Sequence, residues 1–192
     1  RFDLEAMAER LSPETRFVYI ANPNNPTGTY VTAAELEKFL SKVSENTLVI
    51  LDEAYYEYID AKDYPQSFNY WKNGPWHKNL VILRTFSKAY GLAGIRIGYG
   101  FMSEEKVDYI NRVRPTFNVS SQAQKAALAA LDDEKHLLKT RKLCLRERKR
   151  VSRELKRLGM EIPPTQANFV LAGLEKLPGG RTSQQLFELL HV

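Results

Sequence analysis

Seven side chains in this sequence have the types and spacing that covalent amine chemistry would use. Lys88 offers an amine, Asp52 a carboxylate, Tyr55 a phenol and Asn25 a carboxamide; Thr85 and Ser87 add hydroxyls, and Arg96 a guanidinium. Tyr55 follows Asp52 by three residues, and Arg96 follows Lys88 by eight. An amine that attacks a carbonyl needs a means of shedding its proton, which partial burial would favour, and a bound anion needs fixed donors. Taken singly, each residue has an ordinary explanation. A lysine after an apolar strand is common at the surface, and an arginine within an apolar run can be a structural ion pair. Only convergence makes a site, so the elements that carry these residues decide what they can do.

Residues 16–21 (RFVYIA) form an apolar, β-branched and aromatic run that reads as a buried strand. It stops in NPNNPTG, a Pro/Asn/Gly cluster that continues neither helix nor strand. Thr32 and Glu35 form a capping box, and Leu36, Phe39, Leu40 and Val43 follow at helical spacing. TLVILDEAY (47–55) is a second strand ending in two acids, LVILRTFSK (80–88) a third, and GIRIGYGFM (94–102) a fourth. Further helices are predicted over 4–11, 104–112, 121–131 and 183–190, and ANFVLAGL (167–174) reads as a strand of a different sheet. Apolar strands separated by helices predict an α/β fold: a mostly parallel sheet with helices on both faces. A domain change is placed near Leu131, with 1–131 part of a large domain and 132–192 a connecting helix and the start of a smaller α/β domain. The chain has no initiator Met and its last helix no cap, so a piece of a longer protein is expected.

Ligands of open parallel sheets bind beyond the carboxyl ends of the strands. The polar residues cluster there: Asn25 after the first strand, Asp52 and Tyr55 after the second, Thr85, Ser87, Lys88 and Arg96 after the third. Pyridoxal phosphate uses this whole set. It needs a lysine to hold its aldehyde covalently and a carboxylate at the pyridine nitrogen. It also needs donors at the phenolic oxygen, and hydroxyls with an arginine at the phosphate.

NPNNPTG, LDEAY, TFSKAYGLAGIRIGY and QANFVL resemble the landmarks of fold-type-I pyridoxal-phosphate aminotransferases, whose fold is aspartate-aminotransferase-like. RPTFNVSSQAQKAALAAL, residues 114–131, is similar to the histidinol-phosphate aminotransferase branch. The resemblance implies transamination between histidinol phosphate and 2-oxoglutarate by a homodimer; a single cysteine and charged, periodic first residues unlike a secretory signal make the cytoplasm the expected location. Lys88 would hold the cofactor and shuttle a proton, and Asp52 would pair with the pyridinium. Asn25 and Tyr55 would contact the phenolic oxygen, with a cis Asn25–Pro26 bond; Thr85, Ser87 and Arg96 would bind phosphate. Asn25 and Asn168 are the candidates for substrate contact. Aromatic aminotransferases and phospho-amino-acid decarboxylases share much of this pattern. The family's substrate-carboxylate arginine and the tyrosine that crosses the dimer interface match nothing in this sequence.

Other function classes fare worse. Asp52 and Glu53 also resemble the magnesium-binding acids of P-loop ATPases, but the required G-x-x-x-x-G-K-[ST] run does not occur. The net charge of +5 is concentrated in 133–158, where eleven Lys/Arg face four Asp/Glu. Leu137, Leu138, Cys144, Leu145, Val151, Leu155 and Leu158 recur there at helical spacing, so the segment reads as an amphipathic helix with a solvated basic face. Without aromatics or a groove-reading motif beside that charge, no nucleic-acid partner is expected. One cysteine, Cys144, permits no internal disulfide, and no Cys/His spacing suits a metal. No apolar run approaches the roughly 20 residues of a membrane span.

Overall fold

The computed structural model describes residues 1–176, 179–180 and 182–190. Strands β1 (Phe17–Ala21), β2 (Leu48–Asp52) and β3 (Leu80–Thr85) pair in parallel in that order, and β4 (Gly98–Phe101) runs antiparallel beside β3. The register sets Ala21 opposite Asp52 and Asp52 opposite Leu83. All three parallel strands therefore end along one edge of the sheet. The β3–β4 connection, which carries Lys88 and Arg96, leaves from that same edge.

Alternation along the strands builds the core. Val18, Ile20, Val49, Leu51, Leu80 and Ile82 point to one face and are buried under helices α1 (Leu4–Glu9) and α2 (Ala33–Leu40). Helix α2 begins at the expected capping box: the Thr32 hydroxyl accepts from the Glu35 N–H, and the Glu35 carboxylate accepts from the Thr32 N–H at 2.8 Å. Leu36, Phe39 and Leu40 then fill the space above the sheet. Each such side chain contributes about 1.5–3 kcal/mol by leaving water. On the other face, β1 presents Phe17 and Tyr19, which are 68% and 51% exposed.

The remaining helices are α3 (Ser67–Asn73), α4 (Glu104–Val113), α5 (Ser121–Asp132), α6 (Glu134–Arg157) and α7 (Ser183–Leu190). Asp133 caps α6 by accepting from the His136 N–H at 3.0 Å. Its apolar stripe is narrower than the spacing predicts. Leu137, Cys144, Leu145, Val151 and Leu155 are half-buried, while Leu138 and Leu158 are exposed. The one buried residue of α6 is a cation, Arg148. It pairs with Asp60 at 2.6 Å and donates to the Tyr58 and Ala167 carbonyls, which satisfies the charge that burial would otherwise penalise. Among the described residues no helix is long and apolar enough to cross a membrane.

The strand expected over 167–174 does not form. A single antiparallel bridge joins Glu161 and Gly173. Upstream, the Thr165 hydroxyl accepts from the Ala167 N–H and donates to the Phe169 carbonyl, a local turn that competes with extended pairing. That turn lies against the NPNNPTG loop, where the Gln166 N–H donates to the Gly28 carbonyl at 2.7 Å. Gly28 has φ +71, and a Cβ built on it would lie 1.9 Å from the Thr165 Oγ1. Gly28→Ala should therefore destabilise the chain by about 3 kcal/mol, part left-handed strain and part clash. Urea denaturation checks this: adding Thr165→Ala should recover little of the loss, because the Thr165 Cβ would still lie 2.6 Å from the new methyl.

Candidate active site

The NPNNPTG loop assigns different tasks to its asparagines. Asn22 is buried and structural: its carboxamide exchanges hydrogen bonds with the Val31 backbone, and its N–H donates to the Asp52 carbonyl at 2.9 Å. Asn24 closes the loop on itself through Thr29 and Gly28. The Asn22–Pro23 and Asn25–Pro26 bonds are both cis. Asn25 is left exposed, and its Nδ2 donates to the Tyr55 hydroxyl at 2.9 Å. The Tyr55 ring is buried and meets the edge of Phe169, with centroids 5.1 Å apart and planes at 84°. The Lys88 ammonium lies 5.4 Å from the Tyr55 ring centroid. Asn25, Tyr55 and Lys88, from three separate strand ends, thus form one cluster.

Asp52 closes β2 beside them. Its Oδ1 accepts the Ala54 N–H at 3.0 Å and its Oδ2 accepts the hydroxyl of Tyr19. Thr85 ends β3, and its hydroxyl accepts the Ser87 N–H at 3.0 Å, which folds the chain toward Lys88. Two expectations need correction. Lys88 is exposed, not partly buried, because it follows the strand in an open turn. Arg96 is not inside a strand either: β4 begins at Gly98, and Arg96 is exposed with a left-handed φ of 59. Its guanidinium donates to the Ala93 carbonyl at 2.8 Å and, among the described residues, meets no carboxylate. Asn168 is exposed and lines the cleft beneath α6 together with Tyr58 and Cys144, and among the described residues no hydrogen bond joins it to the strand-end groups. Its neighbour Phe169 is the residue that reaches Tyr55.

Comparison with known proteins interprets this arrangement. The family described as aminotransferase class I and II matches residues 1–191. The chain belongs to that family. It is 50% identical over 177 residues to histidinol-phosphate aminotransferase 2 of Carboxydothermus hydrogenoformans, covering 92% of this chain and 48% of that one. It is 49% identical over 189 residues to the histidinol-phosphate aminotransferase of Anaeromyxobacter sp., covering 98% and 50% respectively. The crystal structure of histidinol-phosphate aminotransferase from Sinorhizobium meliloti in complex with pyridoxal-5′-phosphate superposes with a TM-score of 0.77 at 35% identity, covering 88% of this chain and 45% of that one. The chain spans about half the length of these relatives. Its mixed, mostly parallel sheet is that of the aspartate-aminotransferase-like fold, shared with aspartate aminotransferase from Thermus thermophilus at a TM-score of 0.77.

The acid next to Asp52 serves this family chain differently. Glu53 is buried, and its carboxylate is gripped by Arg84 at 2.9 Å, by Ser67 and by Tyr64. Arg84 in turn stacks 3.6 Å from the Tyr56 ring centroid. The two acids therefore do not share a cation, which removes the physical basis of the magnesium-ATPase comparison. Tyr19 and Phe169 were not legible as site residues. Tyr19 lies two positions before Ala21 and so shares a face with it, but the pairing register with β2 is needed to see this.

Glu57 borders a cavity of about 290 Å³ lined by Tyr64, Arg84, Tyr90, Tyr99 and Arg141 among others. Its Oε2 is buried without a hydrogen-bond partner among the described residues. Burial pushes its carboxyl from an ordinary 4.5 up to about 7, against the opposing pull of its own backbone N–H and Arg84. The folded chain thus holds this proton more tightly than the unfolded chain. Its stabilising contribution is complete below 4.5 and lost as pH rises through about 7. Glu57→Gln should be more stable than the parent at about pH 8, by on the order of 2 kcal/mol, and no more stable near pH 4. Urea midpoints at the two pH values check this, and equal differences at both would contradict it.

Proposed function

We propose that this chain is the lysine-bearing part of a pyridoxal-phosphate-dependent aminotransferase. It moves an amino group from histidinol phosphate to 2-oxoglutarate, giving imidazole-acetol phosphate and glutamate in histidine biosynthesis. The observation that carries this reading is the Asn25–Tyr55–Lys88 cluster beside Asp52, in a chain half identical to histidinol-phosphate aminotransferases. The reading includes a cytoplasmic homodimer, with 1–131 in the large domain and 132–192 leading into the small one.

The donor set fits the cofactor. Each Asp52 oxygen accepts one hydrogen bond, and a carboxylate has roughly four lone-pair sites, so capacity remains for a protonated ring nitrogen. Asn25 and Tyr55 already share a hydrogen bond and can both donate to a phenolic oxygen. Thr85, Ser87 and an Arg96 guanidinium that no carboxylate among the described residues engages suit a phosphate dianion. When bound, the cofactor supplies a ring that accepts electrons from the substrate Cα. Lys88 would hold the cofactor through its amine and would serve as the base that takes the substrate Cα proton and the acid that gives it back. Asp52 would pair with the ring nitrogen and favour its protonated form, which would stabilise developing negative charge. The Tyr55 phenol and the Asn25 carboxamide would hold the phenolic oxygen.

In the full-length protein, borohydride reduction should attach the cofactor to the peptide containing Lys88, and histidinol phosphate with 2-oxoglutarate should yield glutamate. Lys88→Ala should abolish both. Asp52→Ala should retain some cofactor yet lose roughly a thousand-fold or more in rate. Preference for aromatic amino acids, or carbon dioxide released from a phospho-amino acid, would redirect the substrate assignment.

A further inference from the structure

Tyr19 is absorbed by none of the roles above, yet it makes the only side-chain hydrogen bond to the Asp52 carboxylate among the described residues. It reaches the carboxylate across the sheet. Pairing sets Tyr19 opposite Ile50 and Ala21 opposite Asp52, so alternation brings Tyr19 and Asp52 to one face, opposite to the packed core. Burial of the hydroxyl, and then its hydrogen bond to Asp52, push the Tyr19 phenol up to about 12. Near neutral pH it is therefore a fixed donor. The Ala54 N–H holds the other carboxylate oxygen from within the same strand end.

Resting on the reading of Asp52 as partner of the cofactor's ring nitrogen, we propose that Tyr19 is a positioning residue: its hydroxyl fixes the Asp52 carboxylate against rotation and sets which lone pairs face the ring. The terminal torsion of an aspartate is broad and roughly two-fold, so a single backbone N–H leaves it free to swing. Two donors, one on each oxygen, define the carboxylate plane. Loss of the phenol would let water take its place and spread the carboxylate over several orientations. The ring nitrogen would then sit against a less well-aimed acceptor.

The test uses the full-length protein reconstituted with pyridoxal 5′-phosphate labelled with nitrogen-15 in the ring, in the parent, Y19F, D52N and Y19F/D52N. In Y19F the cofactor dissociation constant should rise about ten-fold, the loss expected for a hydrogen bond to a charged group. The ring-nitrogen resonance should move while the urea midpoint stays near that of the parent. In the D52N background, Y19F should change neither affinity nor resonance, because the two residues act through one another. Replacing Tyr19 by 3-fluorotyrosine keeps the ring shape and strengthens the donor, so the resonance should move opposite to its direction in Y19F; this arm holds even where Y19F fails to fold. Parent-like affinity and resonance in Y19F, or an equal Y19F effect with and without Asp52, would overturn the role. A parent protein in which borohydride attaches no cofactor to Lys88 overturns the functional reading itself, whereas attachment with an unmoved resonance overturns only the part played by Tyr19.

Discussion

The parallel pairing of β1, β2 and β3 is the constraint on which everything else rests. With Ala21, Asp52 and Leu83 in register, three strands finish along one edge. Each then releases its polar residues into the same space: Asn25 from the first, Asp52 and Tyr55 from the second, Thr85 through Lys88 from the third. A shift of one residue in β2 would turn Asp52 into the core and bring an apolar neighbour to the edge. The alternating core residues Ile20, Val49, Leu51, Leu80 and Ile82 oppose such a shift, because it would expose all of them on their strand together. Site geometry is thus enforced by burial on the opposite face of the sheet.

Two adjacent acids at one strand end have opposite environments. Asp52 stays on the accessible side, with one backbone and one phenolic donor. Glu53 turns inward, where removal from water would be costly without a full set of partners, and Arg84, Ser67 and Tyr64 supply them. The Arg84 guanidinium lies over Tyr56, which follows Tyr55 directly. The buried ion pair therefore fixes the backbone immediately after the catalytic candidates. Its contribution is to hold that turn in one conformation, since a buried pair adds little stability compared with an apolar replacement.

Much of this was legible in the sequence, and what was not has physical causes. Strand runs such as LVILDEAY and LVILRTFSK carry period and composition locally, and the Thr32–Glu35 capping box is a local hydrogen-bond pattern, so both were readable. The convergence of Asn25 with Tyr55 followed once the strands were taken as one sheet. Arg96 misled because GIRIGYGF alternates like a strand, yet the pairing with β3 begins only at Gly98. ANFVLAGL has strand composition, but the Thr165 side chain claims the nearby backbone first. Arg148 looked like one more solvated cation of α6, since its partners Asp60, Tyr58 and Ala167 come from distant segments. Tyr19 depended on cross-strand register. Apart from the Thr165 turn, which is local, these misses share one feature: the deciding partner was tertiary.

The segment after α6 is tied to the site more closely than its position in the chain would suggest. The Gln166 N–H is bound to Gly28, and its side chain accepts from Asp60, while Arg148 reaches the Ala167 carbonyl and Phe169 meets the Tyr55 ring. These contacts join the NPNNPTG loop, the turn after β2 and helix α6 around residues 165–169. A displacement of α6 would pull on the Ala167 carbonyl and carry Phe169 with it, and the Tyr55 ring would lose its edge contact. The hydrogen bond between Asn25 and Tyr55 is thus supported from both sides of the cleft, by the loop that carries Asn25 and by the segment that follows the long helix. A phenol held in this way keeps its aim only while the two regions stay packed, so the position of α6 and the orientation of Tyr55 are coupled.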